Sequence, residues 1–211
     1  MQRLLLRYTK QGTARFASHR DFTRAFERAL RRAGIPMALS SGFNPHPRIS
    51  YLNAAPTGAA SLAEYVEIGL SQEMDADDVT ERLNAALPYG FQIAAAGPGG
   101  TPVLEASLWR LDIDVAPEIL PAAAEWLLAQ ESVKVTRETK NGPREFEIRD
   151  AVKSLAVVGG HLEAVVAMGS PLVRPDDIVA GMGALLPASA PPVFTRLAQG
   201  QLVDGQVVNP L

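Results

Sequence analysis

The segment SHRDFTRAFERALRRAGIP, residues 18–36, constrains the fold more than any other stretch. Phe22, Ala25, Phe26, Ala29, Leu30 and Ala33 recur at helical spacing and form one apolar stripe. Ser18 is placed to cap the N-terminus, with Asp21 three residues on as its capping-box partner, and Gly34 and Pro36 stop the helix. At about 100° per residue, Arg20, Arg24, Arg28 and Arg31 fall on one line along the opposite side, with Arg32 at its edge. Such a helix must lay its apolar stripe on a partner, and the neighbouring segments supply one. RLLLRYT before it reads as a strand, and MALSS and RISYLN after it read as extended pieces around the loop FNPHP. QGTARFA reads as a turn and a short extended piece.

The same order continues. AAPTGAAS is a loop, EYVEIGL alternates as a strand, and DADDVTERLNAAL is a helix capped by Asp75 with Val79, Leu83, Ala86 and Leu87 on its apolar face. FQIAAA closes a β-α-β-β-α-β unit of the ferredoxin-like kind over residues 1–98, and GPGGTP, residues 97–102, punctuates its end. Residues 103–211 repeat the order without repeating the residues. SLWRLDIDV is a strand, and PEILPAAAEWLLAQ is a helix with Ile119, Ala123, Trp126 and Leu127 on its apolar side. A hairpin turns at Asn141-Gly142, a second hairpin-like pair turns at Gly159-Gly160, RPDDIVAGMGALL is a helix, and FTRLAQGQLV is the closing strand. The expected fold class is therefore α+β: two tandem ferredoxin-like units with antiparallel sheets.

Charge separates these units more sharply than pattern does. Residues 1–50 hold ten Lys and Arg against Asp21 and Glu27, a net +8, and the remaining 161 residues hold ten against 21, a net −11. Nine of the ten early cations are arginine, whose planar fork matches phosphate and carboxylate. A solvated helix normally interleaves signs at i,i+4, and Glu27 is the only acid near the arginine line apart from the capping Asp21. The plain alternative is that the acidic half docks on the basic one. The acidic unit is expected to be structural or partner-facing.

The chain has no cysteine, which removes disulfides, cysteine nucleophiles and thiolate-bound zinc or iron–sulfur sites from it. No apolar run reaches membrane-span length, and MQRLLLRYTK lacks a signal-peptide core, so a cytoplasmic protein with no membrane partner is expected. No phosphate loop, dinucleotide fingerprint or nucleophile elbow is present, no histidine spacing resembles a metal motif, and no cofactor is expected. The remaining candidates for chemistry cluster early. His19 opens the arginine helix, and His46 stands between Pro45 and Pro47, which restrict the backbone that presents it. Ser40, Ser41, Asn44 and Ser50 add polar groups around that loop. If the following strand lies beside the helix start, His19, Arg20, His46 and Arg48 would converge on one anion. The plain readings are that His19 satisfies a backbone group and His46 braces its loop. Phe16, Phe43, Tyr51 and Tyr65 are the aromatics at hand, most of them read as core.

The string RFASHRDFTRAFERALRRAGIPMALSSGFNPHPRISYLNAAPTGAASLAEYVEI resembles the bacterial radical SAM-linked proteins, a domain of unknown function found alone or fused behind cobalamin-binding radical SAM proteins. The likeness is strongest over residues 3–70 and continues more weakly through FEIRDAV and the RPDDIV helix. Family members read S-H-L-D at Ser18–Asp21, where this chain has Arg20, and S-Q-G-F-N-P-H-P at Ser40–Pro47, where it has Ser41. The matching positions are Arg15, Phe16, Ser18, His19, Asp21, Arg24, Arg31, Arg32, Gly42, Phe43, Asn44, Pro45, His46, Pro47, Ser61 and Glu64. The resemblance implies a radical SAM protein as partner, with this chain as an accessory.

The arginine surface makes RNA the expected ligand of that accessory. The binding residues would be Arg15, Ser18, His19, Arg20, Arg24, Arg28, Arg31, Ser41, Asn44, His46 and Arg48. One alternative is a metal-independent endoribonuclease with His19 and His46 as the acid–base pair. Another is a protein-interaction subunit with no nucleic-acid ligand. No catalytic residue is assigned, and activity of the chain alone is not expected.

Overall fold

Leu4, Leu6 and Tyr8 alternate along strand β1 (Gln2–Lys10) and send their side chains to one face, where two helices cover them. In the computed structural model, residues 1–139 and 142–211 are described. The chain divides into one unit of Met1–Pro102 with Pro210–Leu211 and another of Val103–Asn209.

In the first unit, β1 is followed by a 3-10 helix (Gly12–Phe16), α1 (His19–Arg32), β2 (Ile49–Leu52), β3 (Ala60–Leu70), α2 (Ala76–Ala86) and β4 (Phe91–Pro98). The strands lie in the order β4-β1-β3-β2, each pair antiparallel. Leu4 faces Ile68 and Leu6 faces Val66 across the β1–β3 ladder. These side chains pack against Phe22, Phe26 and Leu30 of α1 and Val79 and Leu83 of α2, all buried in one cluster. The segment expected as turn plus extended piece is instead the 3-10 helix. Gly12 adopts φ 57°, Ala14 donates to the Gln11 carbonyl at 3.1 Å, and Gln11 donates to Gly90 at 2.8 Å. That closed turn leaves no room for a second strand. The MALSS segment makes only isolated bridges, Met37 with Leu70 and Leu39 with Pro47.

The second unit runs β5 (Ala106–Asp112), α3 (Ile119–Ala129), β6 (Lys134–Thr139), β7 (Gly142–Glu147), β8 (Val152–Val158), β9 (His161–Ala167), α4 (Pro175–Met182), β10 (Val193–Val203) and β11 (Gln206–Val208). Its strands order as β10-β5-β9-β8, again antiparallel, with β11 added to β10. Strands β6 and β7 pair with each other as a separate hairpin. Asn141 of its expected turn lies outside the described residues. Gly159 and Gly160 at φ 52° and 86° make the two-residue turn between β8 and β9. The last expected helix is shorter than its apolar pattern: α4 ends at Met182, and Gly183 at φ 49° leads into a 3-10 turn over Gly183–Leu185. In α3 the buried residues are Leu120, Ala123, Ala124 and Leu127, and Trp126 is exposed, contrary to the expected stripe. That helix is apolar nearly all round, so periodicity could not choose its inner face. The protein is thus a mixed α+β structure with largely antiparallel sheet pairing and four α-helices among the described residues.

Candidate functional site

The N-terminus of α1 is firmly built. Ser18 Oγ accepts from the Asp21 N–H at 3.2 Å, and Asp21 Oδ2 accepts from the Ser18 N–H at 3.0 Å, a complete capping box. Hydrogen bonding from the Ser18 side chain and backbone, with help from the Arg24 and Arg20 charges, holds the Asp21 carboxyl below its ordinary value. Underneath, Tyr8 stacks on Phe22 at 4.1 Å, Phe22 stacks on Phe26 at 5.5 Å, and Tyr51 of β2 meets both phenylalanines edge-on. Burial pushes the Tyr51 phenol up to about 12. This aromatic bed fixes the helix on the sheet and leaves its outer face to solvent.

On that outer face Arg20, Arg24, Arg28, Arg31 and Arg32 are all exposed. Among the described residues none of the five forms an ion pair. Helix α2 differs: there Arg82 pairs with Asp78 at i,i+4, 2.8 Å apart. Arg28 and Arg32 also border a groove of about 370 Å³ whose walls include Ala25 of α1, Ala86 of α2 and Pro88. Unpaired guanidiniums over an apolar floor are suited to receiving an anion.

The FNPHP loop is a separate projection. Ser40 N–H donates to the His46 carbonyl at 2.8 Å, and His46 N–H donates to Ser40 Oγ at 3.0 Å. These bonds and the Leu39–Pro47 bridge close a small hairpin whose residues 41–48 are all exposed, among them Ser41, Asn44 and His46. Gly42 at φ 139° makes its bend. Phe43 stands at the tip, 101% exposed, and Phe16 is 59% exposed under the Arg15 guanidinium at 4.5 Å. Neither aromatic belongs to the core, unlike buried Tyr65 and half-buried Tyr51.

Strand β2 does lie beside the helix start, since His19 meets Tyr51 edge-on at 5.0 Å. The expected convergence with Arg48 does not form. Ile49 and Tyr51 turn toward the helices, so Arg48 and Ser50 turn to the opposite face by strand alternation. Arg48 lies directly on Gly69, where an added Cβ would come within 3.1 Å of the Arg48 Cβ, and its Nε donates to Leu39 at 3.2 Å. With Arg3, Ser40, Ser50 and the buried Glu67 it lines a groove of about 500 Å³ on that face. Glu67 is already engaged there by Arg3 and by the Gly100 N–H at 2.7 Å. Among the described residues no hydrogen bond or ring contact joins His19 to His46.

Ser61 and Glu64, both matched by the resemblance, are buried parts of the scaffold. Ser61 Oγ accepts from the Ala63 N–H at 3.2 Å, and Glu64 accepts from the Ala55 N–H at 2.9 Å. Lys10 Nζ reaches the Pro56 carbonyl at 3.3 Å, so residues 55 and 56 are both tied to the sheet. The feature missed in the sequence is Tyr89, 90% exposed between α2 and β4. Its signal was an aromatic between Pro88 and Gly90 with no place in either flanking period.

The scaffold is mixed α+β, and its capped first helix displays five exposed arginines that form no ion pair among the described residues. Residues 3–175 match a family of uncharacterized proteins conserved in bacteria (DUF2344), and the chain belongs to that family. No curated protein matches it. Among the described residues no cluster of three or more acids and histidines is arranged to hold a metal ion, and no helix is long and apolar enough to cross a membrane.

Proposed function

We propose that the chain is an RNA-binding accessory protein of two tandem ferredoxin-like units, the first of which presents RNA to a radical SAM modifying enzyme. The observation that carries the RNA reading is the outer face of α1, with five exposed arginines that form no ion pair among the described residues. Close like charges repel one another unless an anion offsets them, and a row along one helix matches a phosphate backbone. The ferredoxin-like reading draws on the strand orders β4-β1-β3-β2 and β10-β5-β9-β8, which place corresponding elements alike once the β6–β7 hairpin is set aside. The partner draws on the resemblance of residues 3–70 to radical SAM-linked proteins. A chain without cysteine has no thiolates for that enzyme's cluster, so the chemistry would belong to the partner.

The test is Arg24→Glu with Arg31→Glu, followed by fluorescence anisotropy with labelled RNA. Binding falls by about 100-fold or more, while unfolding free energy changes by less than about 0.5 kcal/mol because both side chains are exposed. Undiminished binding removes the reading. The endoribonuclease alternative needs both imidazoles at one phosphodiester, whereas RNA held on α1 needs no such pair. A protein-interaction role draws on one specific observation, the fully exposed Phe43 on its braced loop. In that case Phe43→Ser abolishes co-purification of a protein and leaves RNA binding absent in both forms.

A further inference from the structure

The groove beside Arg28 and Arg32 adjoins another hollow at Pro88. This hollow, of about 390 Å³, is lined by Gln11, Pro88, Tyr89 and Gln92 among others, so Pro88 forms a wall of both. Tyr89 is 90% exposed, yet its backbone has little freedom. Phe91 N–H donates to the Pro88 carbonyl at 3.2 Å, and Gln11 N–H donates to the Gly90 carbonyl at 2.8 Å. Gly90 sits at φ 89°, and a Cβ there would fall 2.6 Å from the Ala14 Cβ and 2.7 Å from the Gln11 carbonyl oxygen. Only glycine lets the turn press this closely on the 3-10 helix. The result is an aromatic ring held out in solvent by a tightly packed turn. The side-chain amides of Gln11 and Gln92 are exposed and make no hydrogen bond among the described residues, unlike the Asn84 amide, which is occupied by Ile93.

We infer that this hollow takes an unpaired base of a single-stranded RNA: Tyr89 stacks on the base, and Arg28 and Arg32 hold the adjoining phosphates. The inference rests on the RNA reading above and narrows it from any polyanion to a strand with free bases. Every base has a face to stack, so an exposed ring beside cations suits a single strand. A duplex keeps its bases paired and stacked and offers that ring nothing. Gln11 and Gln92 present amide donors and acceptors at the rim, where base edges would lie.

The experiment compares a short labelled single-stranded RNA of mixed sequence with the same strand annealed to its complement, titrated against wild type, Tyr89→Ala and Tyr89→Phe. Tyr89→Ala weakens the single strand by roughly 5- to 140-fold, the range for loss of one stacked base. Tyr89→Phe keeps the ring and binds within about 2-fold of wild type, and Tyr89→Ala leaves duplex affinity within about the same margin. Equal weakening of strand and duplex, or an unchanged strand, overturns the inference. If Tyr89→Ala changes nothing while the Arg24→Glu, Arg31→Glu variant still loses binding, RNA binding stands and the base hollow falls. If wild type binds neither RNA, both fall together.

Discussion

Helices α1 and α3 follow the first strand of their units and expose surfaces of different chemistry to solvent. Each satisfies its sheet with four small or apolar residues: Phe22, Phe26, Ala29 and Leu30 in α1, and Leu120, Ala123, Ala124 and Leu127 in α3. Outside that stripe α1 displays five arginines, whereas α3 displays Pro121, Ala122, Glu125 and Trp126 and no cation. The ends differ as well: α1 opens on a capping box, and α3 opens on Glu118 with no side-chain cap bond. A sheet of given strand order dictates only the inward stripe of its covering helix. The outward face is free to carry function, and in the first unit it carries unpaired charge.

Truncating the inward stripes provides the largest expected effects and the first way to break this comparison. Phe26→Ala lowers unfolding free energy by about 3–5 kcal/mol, and Leu127→Ala by about 2–5 kcal/mol, read by chemical denaturation. Both side chains are fully buried, so a small loss in either helix would mean that it is not seated as described. Next comes Gly90→Ala, which meets both a positive φ and a clash with Ala14 and costs about 1–3 kcal/mol. The outer face of α1 has the smallest effect: Arg24→Ala changes stability by less than about 0.5 kcal/mol.

Removal of the cap sharpens the contrast between the two helix starts. Ser18→Ala costs about 1 kcal/mol, whereas Glu118→Ala costs less than about 0.5 kcal/mol because no cap bond is lost. The Asp21 carboxyl also gives the first helix a pH dependence. Its folded pKa lies below the ordinary 3.8, so its contribution is complete above that value and is lost as pH falls through the folded pKa. Denaturation series between neutral and strongly acid pH should show the Ser18→Ala deficit shrinking in acid.

Much of the first unit was legible because its signals agree with one another. The α1 period, its cap pair and its Gly34 stop each point to one helix, and the arginine line follows from the same geometry. The second unit was harder to read in detail. An almost wholly apolar α3 gives no contrast by which to choose its inner face, and Trp126 falls outside it for that reason. The site was legible by composition and not by direction. Arg48 neighbours His46 in sequence, but alternation along β2 sends its side chain to the face away from α1. Tyr89 carries no periodic sequence signal because it is a turn residue, and its exposure depends on Gly90 meeting a segment almost eighty residues earlier.

The central claim is that the unpaired arginines of α1 hold a phosphate backbone, and the most direct measurement is the salt dependence of single-stranded RNA affinity. Four or five neutralised phosphates give a slope of log K against log salt of about −3, and reversing Arg24 and Arg31 flattens it by about 1.4 or more. A slope near zero in the wild type, or the same slope and affinity in both proteins, would contradict the account.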